Sequence, residues 1–131
     1  MRVELSWQGA LRFAGRTSQA AMTLDGNGQA GPTPVEALGM ALAGCMAIDV
    51  VHILTKGRVE PTALLANLDA DRADSDPRRI VAVRLHFKVR GPAPPDKVER
   101  AIALSREKYC SVWHSLRPDI DFTTSFEILP A

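Results

Sequence analysis

Two thiols are the residues of this sequence best suited to chemistry. Cys45 lies inside GPTPVEALGMALAGCMAIDVVHIL, a stretch without charge from Ala37 to Ile48, and Cys110 lies far downstream in REKYCSVW. A thiolate that meets a peroxide becomes a sulfenic acid, and a second thiol nearby condenses with it to a disulfide. A free cysteine also packs well as a small hydrophobe, and Ala41, Leu42, Ala43, Ala47 and Ile48 around Cys45 suit that duty equally. The residues alone leave both readings open. Gly44 bears on the choice, because a helical glycine costs about 1 kcal/mol relative to alanine and so points to a close approach at that spot.

The polar residues near the thiols are few. Asp49 and His52 follow Cys45 by four and seven residues. A carboxylate beside Cys45 opposes thiolate formation, so Asp49 is expected to serve a hydrogen bond, while His52 could supply a proton or a positive charge. Tyr109 and Trp113 flank Cys110 and are expected either to wall an apolar substrate pocket or to pack in the core. His114 follows Cys110 by four residues and His86 falls on the polar face of a strand. No CxxC or HxxxH pair occurs, so no metal site is expected.

These residues need elements to position them. Arg2–Trp7, Ala10–Ala14 and Ala20–Leu24 read as short strands of an N-terminal meander, followed by the loop DGNGQAGPTP. Thr33-Pro34-Val35-Glu36 has the form of a capping box, with proline at the first helical position. The helix it opens is expected to run from Pro34 to about Lys56, where Gly57 stops it and Pro61 follows. Strands are expected near Ala63–Ala73 and Ile80–Arg90, joined through a turn at Asp74–Arg78. In the second of them Val81, Val83, Leu85, Phe87 and Val89 share one face. Helical spacing returns over Asp96–Tyr109 and Ser111–Leu116, and Asp119–Leu129 closes as a strand. The fold class is α+β in one domain, 1–131, with antiparallel strands around a long buried central helix.

That helix is apolar on all sides and must be covered on all sides. Its uncharged run is too short to cross about 30 Å of hydrocarbon, and Asp49 and His52 interrupt it, so a membrane span is not expected. A homodimer that buries two such helices against each other is the economical solution. Hydrophobic residues make up 46% and charged residues 24%, with a net charge of +1 and no block of like charges. Neither nucleic acid nor an anionic membrane is therefore an expected partner. The N-terminus MRVELSWQGALRF lacks the apolar core of a signal peptide, which makes a cytoplasmic location and reduced thiols the expectation.

The run PTPVEALGMALAGCMAIDV, with Pro32, Pro34, Glu36, Leu38, Gly44, Cys45 and Asp49 in place, followed downstream by EKYCSV, resembles the osmotically inducible protein C (OsmC) and organic hydroperoxide resistance (Ohr) superfamily. GCMAIDVVHILTKGR is most similar to the YhfA-like branch. The resemblance implies an intertwined homodimer that reduces organic hydroperoxides, with Cys45 as the peroxidatic thiolate, Cys110 as the resolving thiol, and an external dithiol as reductant. It implies no metal, haem or flavin. It also implies an arginine and a glutamate beside the reactive thiol. The glutamate of well-studied relatives directly follows the proline, where this chain has Val35. Glu36 stands one step, about 100° of helix, further on. Glu36 is thus a displaced candidate for catalytic support that also suits the cap. Arg16, in FAGRTS, is the candidate cation, with Arg12 behind it. The alternative reading is an OsmC-like dimer that binds a small apolar ligand or senses redox state without efficient turnover.

Overall fold

The computed structural model describes residues 1–130, which form two compact units, Met1–Met40 and Ala41 onward. In the first unit β1 (Glu4–Trp7), β2 (Arg12–Arg16) and β3 (Ala21–Asp25) make an antiparallel meander in the order β1-β2-β3. Gly9, at φ +96°, supplies the left-handed backbone that the tight β1–β2 turn requires. The loop after β3 is held by Asp25, whose buried carboxylate accepts the backbone N–H groups of Asn27 (2.9 Å), Gln29 (3.3 Å) and Ala30 (2.9 Å). Those bonds, with Ala30 foremost, hold its carboxyl below the usual carboxylate range. Arg12 stands 3.5 Å from the same carboxylate.

The capping box forms as the sequence predicts. Thr33 N–H donates to Glu36 Oε1 at 2.9 Å, and Glu36 N–H donates to Thr33 Oγ1 at 3.2 Å. Helix α1 then runs from Pro34 to Lys56, the predicted bounds, and Gly57 ends it with its N–H on the Ile53 carbonyl. Thr33→Ala removes one half of the box and is expected to lower stability by about 1 kcal/mol, read as a shift in the urea midpoint without a change in slope.

The second unit holds the core. On α1, Leu42, Met46, Val50 and Leu54 recur every four residues and form one buried stripe. They share a cluster with Val83, Leu85, Phe87 and Val89 from the inner face of β5 (Ile80–Arg90), where burial alternates residue by residue as expected. Val81, the first of that row, is only partly covered. β5 is the middle strand of a sheet ordered β4-β5-β6, with β4 at Ala63–Arg72 and β6 at Asp121–Ile128. β4 and β5 are antiparallel, joined through the predicted turn.

One pairing corrects the expectation of uniformly antiparallel strands: β5 and β6 run parallel. The cause is the connection, since α2 (Pro95–Leu104), a π-helical turn (Ser105–Tyr109) and α3 (Ser111–His114) carry the chain back before β6 begins. Helix α1 has the length and composition of a membrane span, but its buried stripe makes it a core helix. Other positions on it remain uncovered within one chain: Ile48 is 69% exposed, Val51 is exposed, and among the described residues nothing lies within 4 Å of where a Cβ on Gly44 would stand.

Candidate active site

Cys45 sits midway along α1, partly buried and packed against the core cluster. Cys110 reaches the same region by another route. Where α2 ends at Leu104 the backbone widens into the π-helical turn, a form common at functional sites. Cys110 N–H closes that turn by donating to the Ser105 carbonyl at 2.8 Å. Cys110 then turns extended (φ −72°, ψ 98°) and caps α3, its Sγ accepting the Trp113 N–H at 3.3 Å. The sulfur is fully buried.

The electrostatics of Cys110 show what lies beside it. Its pKa is pushed from 9.0 up to about 11, first by burial, which disfavours the anion, against the Trp113 N–H, which favours it, and then by the side chain of Cys45. The fold therefore brings together two thiols that the sequence keeps far apart. They differ in kind: Cys110 is a buried, neutral S–H at ordinary pH, and Cys45 is the one open in part to incoming molecules. Both are free thiols.

A second polar contact joins the same two segments. Ser105, fully buried, donates its hydroxyl to Asp49 Oδ2 at 2.7 Å. This bond links the start of the π-helical turn to α1 one helical turn beyond Cys45. Asp49 thus takes the hydrogen-bonding role expected of it. Sequence reasoning missed Ser105. The signal was present, because Val98, Ala101, Ile102 and Ser105 follow one another at spacings of three, one and three, which places a lone hydroxyl in the buried stripe of an amphipathic helix.

The remaining candidates separate by position. Trp113 is partly buried in the core, its ring centroid 4.5 Å from that of Phe122, while Arg106 lies 4.8 Å over the same Phe122 ring. Tyr109 is 52% exposed, with Lys108 Nζ 5.4 Å above its ring, so of the two flanking aromatics Trp113 is the one that packs. His52 is exposed and stands two full turns of α1 beyond Cys45, too far along the helix to touch its sulfur. In the first unit Glu36 is engaged in the cap, and Arg16 lines an apolar groove of about 300 Å³ with Val3, Leu5, Met22 and Leu24. His86 lies between Ser125 Oγ (2.7 Å) and Glu127 Oε1 (3.1 Å) across the open face of the sheet. No group of three or more His, Cys, Asp or Glu side chains that could hold a metal ion occurs among the described residues.

The family model described as OsmC-like protein matches residues 26–125, a span that includes both thiols, Asp49 and Ser105. The chain belongs to the OsmC-like family. It is 40% identical to protein YhfA of Escherichia coli (strain K12) over 134 aligned positions, covering the whole of both proteins. Among solved structures, a hypothetical protein from Aquifex aeolicus VF5 is 29% identical with a TM-score of 0.90, over 98% of this chain and 95% of that one. An organic hydroperoxide resistance protein OsmC from Legionella pneumophila shares the OsmC-like fold at 15% identity and a TM-score of 0.70, covering 95% of this chain and 94% of its own. Some proteins of this fold thus carry hydroperoxide resistance in their names.

Proposed function

We propose that this OsmC-like protein is a two-cysteine peroxidase that reduces organic hydroperoxides. The observation that supports it best is the unequal thiol pair, a partly exposed Cys45 beside a buried, neutral Cys110. Cys45 as thiolate attacks the terminal peroxide oxygen; the O–O bond breaks, the substrate leaves as an alcohol after taking up a proton, and Cys45 becomes a sulfenic acid. Cys110 then attacks the Cys45 sulfur, giving the disulfide and releasing water, which carries off the sulfenic oxygen. An external dithiol reduces the disulfide by exchange and is itself oxidised, which suits a reducing cytoplasmic compartment. The apolar side chains around Cys45 favour a hydrophobic peroxide over a strongly hydrated one.

The working form is a homodimer in this reading. Ile48, Val51 and the open position over Gly44 give α1 an apolar face left uncovered among the described residues, and a second copy supplies the cover. Ile48→Asp is expected to move the protein from dimer to monomer in size-exclusion chromatography with light scattering, at least tenfold in dissociation constant. An unchanged dimer would remove α1 from the interface.

The activity is tested by adding one equivalent of cumene hydroperoxide to the reduced protein. Intact mass is expected to fall by two hydrogens as the peroxide disappears. Thiols that stay reduced while organic and hydrogen peroxide persist would end the peroxidase reading, and a small apolar molecule retained in native mass spectrometry would then favour a ligand-binding dimer.

A further inference from the structure

We infer that Asp49 and Ser105 form a positioning pair that holds Cys110 against Cys45, an inference that rests on the two-thiol reading above. Cys45 and Asp49 occupy the same side of α1, one turn apart. Ser105 opens the π-helical turn and Cys110 directly follows it, the two tied by the bond from Cys110 N–H to the Ser105 carbonyl. The Ser105–Asp49 bond closes the circuit, so the four residues form a ring with the thiols at one end and a 2.7 Å hydrogen bond at the other. Nothing else about Ser105 accounts for a hydroxyl there. The residue is fully buried in line with Val98, Ala101 and Ile102, and an alanine would suit that stripe better were the hydroxyl idle.

The physical consequence concerns disulfide geometry. A disulfide needs its Cβ atoms about 3.5–4.5 Å apart and tolerates little deviation. The π-helical turn is a wide, uncommon conformation, and an α-helical turn is its commoner alternative. That alternative would rotate and shift Cys110 relative to α1. The bond to Asp49 anchors the turn to the helix that carries the other sulfur, so it favours both the rate of disulfide formation and the stability of the disulfide. Asp49 and Ser105 touch no reacting atom in this scheme; they act through the placement of Cys110.

The test compares the wild-type protein with Ser105→Ala, Asp49→Ala and Ser105→Thr, oxidised by one equivalent of diamide. Diamide takes two electrons and two protons from the thiols and becomes the hydrazine, so no peroxide enters the assay. Ser105→Ala and Asp49→Ala are each expected to slow disulfide formation about tenfold. Each is also expected to lower the disulfide's equilibrium constant against glutathione about tenfold, a rise of about 30 mV in reduction potential. Ser105→Thr, which keeps the hydroxyl, restores both. The alkylation rate of Cys45 stays at the wild-type value in both Ser105 variants, which leave the Asp49 carboxylate in place. Wild-type rates and potentials in both alanine variants overturn the inference, as does a threonine variant that falls as far as alanine. If Ser105→Ala loses its fold by circular dichroism, Asp49→Ala decides alone. A wild-type protein that forms the disulfide with diamide yet ignores hydroperoxides sinks the peroxidase reading and leaves this one standing.

Discussion

Cys45→Ser is expected to reduce peroxide-driven dithiol oxidation to the uncatalysed background, at least about a thousandfold below wild type, whereas Cys110→Ser should complete the first oxidation and stop. The asymmetry follows from the site. Cys45 is the thiol with partial access to solvent, so it meets the substrate; Cys110 is buried and held neutral, so it waits for an electrophilic sulfur delivered beside it. With Cys110 gone, the sulfenic acid on Cys45 has no internal partner and should persist long enough for dimedone to capture it. The measurement is a single turnover with cumene hydroperoxide, because small thiols in excess could reduce the sulfenic acid directly and mask the loss. Mass spectrometry should find a dimedone adduct on Cys45 in Cys110→Ser and only a trace in wild type. Peroxide consumption at the wild-type rate by Cys45→Ser would end the assignment. A first oxidation that survives in Cys45→Ser but not in Cys110→Ser would reverse the two roles.

The sequence made α1 legible to the residue, because its ends carry local chemistry: the Thr33–Glu36 box at one and Gly57 at the other. β5 was equally legible, its period-two pattern surviving as alternating burial from Val83 to Val89. The direction of β6 was not. Strand direction depends on how the intervening helices return the chain, and no local pattern within Asp121–Ile128 encodes that. In the site, residue type marked both thiols, and the capping role of Glu36 and the hydrogen-bonding role of Asp49 came out as expected. What stayed hidden was the partner of Asp49. Ser105 is 56 residues away, and its significance arises only where the helix widens into a π turn, a change with no clear sequence signature. The surplus apolar character of α1 was legible as a demand for cover; among the described residues the Leu42–Leu54 stripe is fully buried, Ala43, Cys45, Ala47 and Ile53 are covered in part, and Ile48 stays exposed.

The buried state of Cys110 carries the second large effect, which appears on raising the pH. A pKa of about 11 in place of 9.0 lowers the thiolate fraction near neutrality about 100-fold. Iodoacetamide at pH 7.5 should therefore modify Cys45 first, and Cys110 at least 100-fold more slowly than a thiol in a short peptide, with steric exclusion adding to the difference. The same shift makes stability depend on pH. Between pH 9 and 11 the unfolded chain has lost the Cys110 proton and the folded chain retains it, so the unfolded state binds fewer protons and stability falls as pH rises. The contribution is fully present below pH 9 and is lost by pH 11. Its size is at most about 3 kcal/mol, the free energy that linkage assigns to a shift of this extent. Urea unfolding of the reduced protein across this range should show the decline, and Cys110→Ala should flatten it by that amount while carrying its own pH-independent packing loss. A decline of equal size in Cys110→Ala would assign the alkaline sensitivity to other groups. Rapid alkylation of Cys110 in the native protein at pH 7.5 would show that its sulfur is neither shielded nor held neutral, and the division of labour between the two thiols would lose its physical basis.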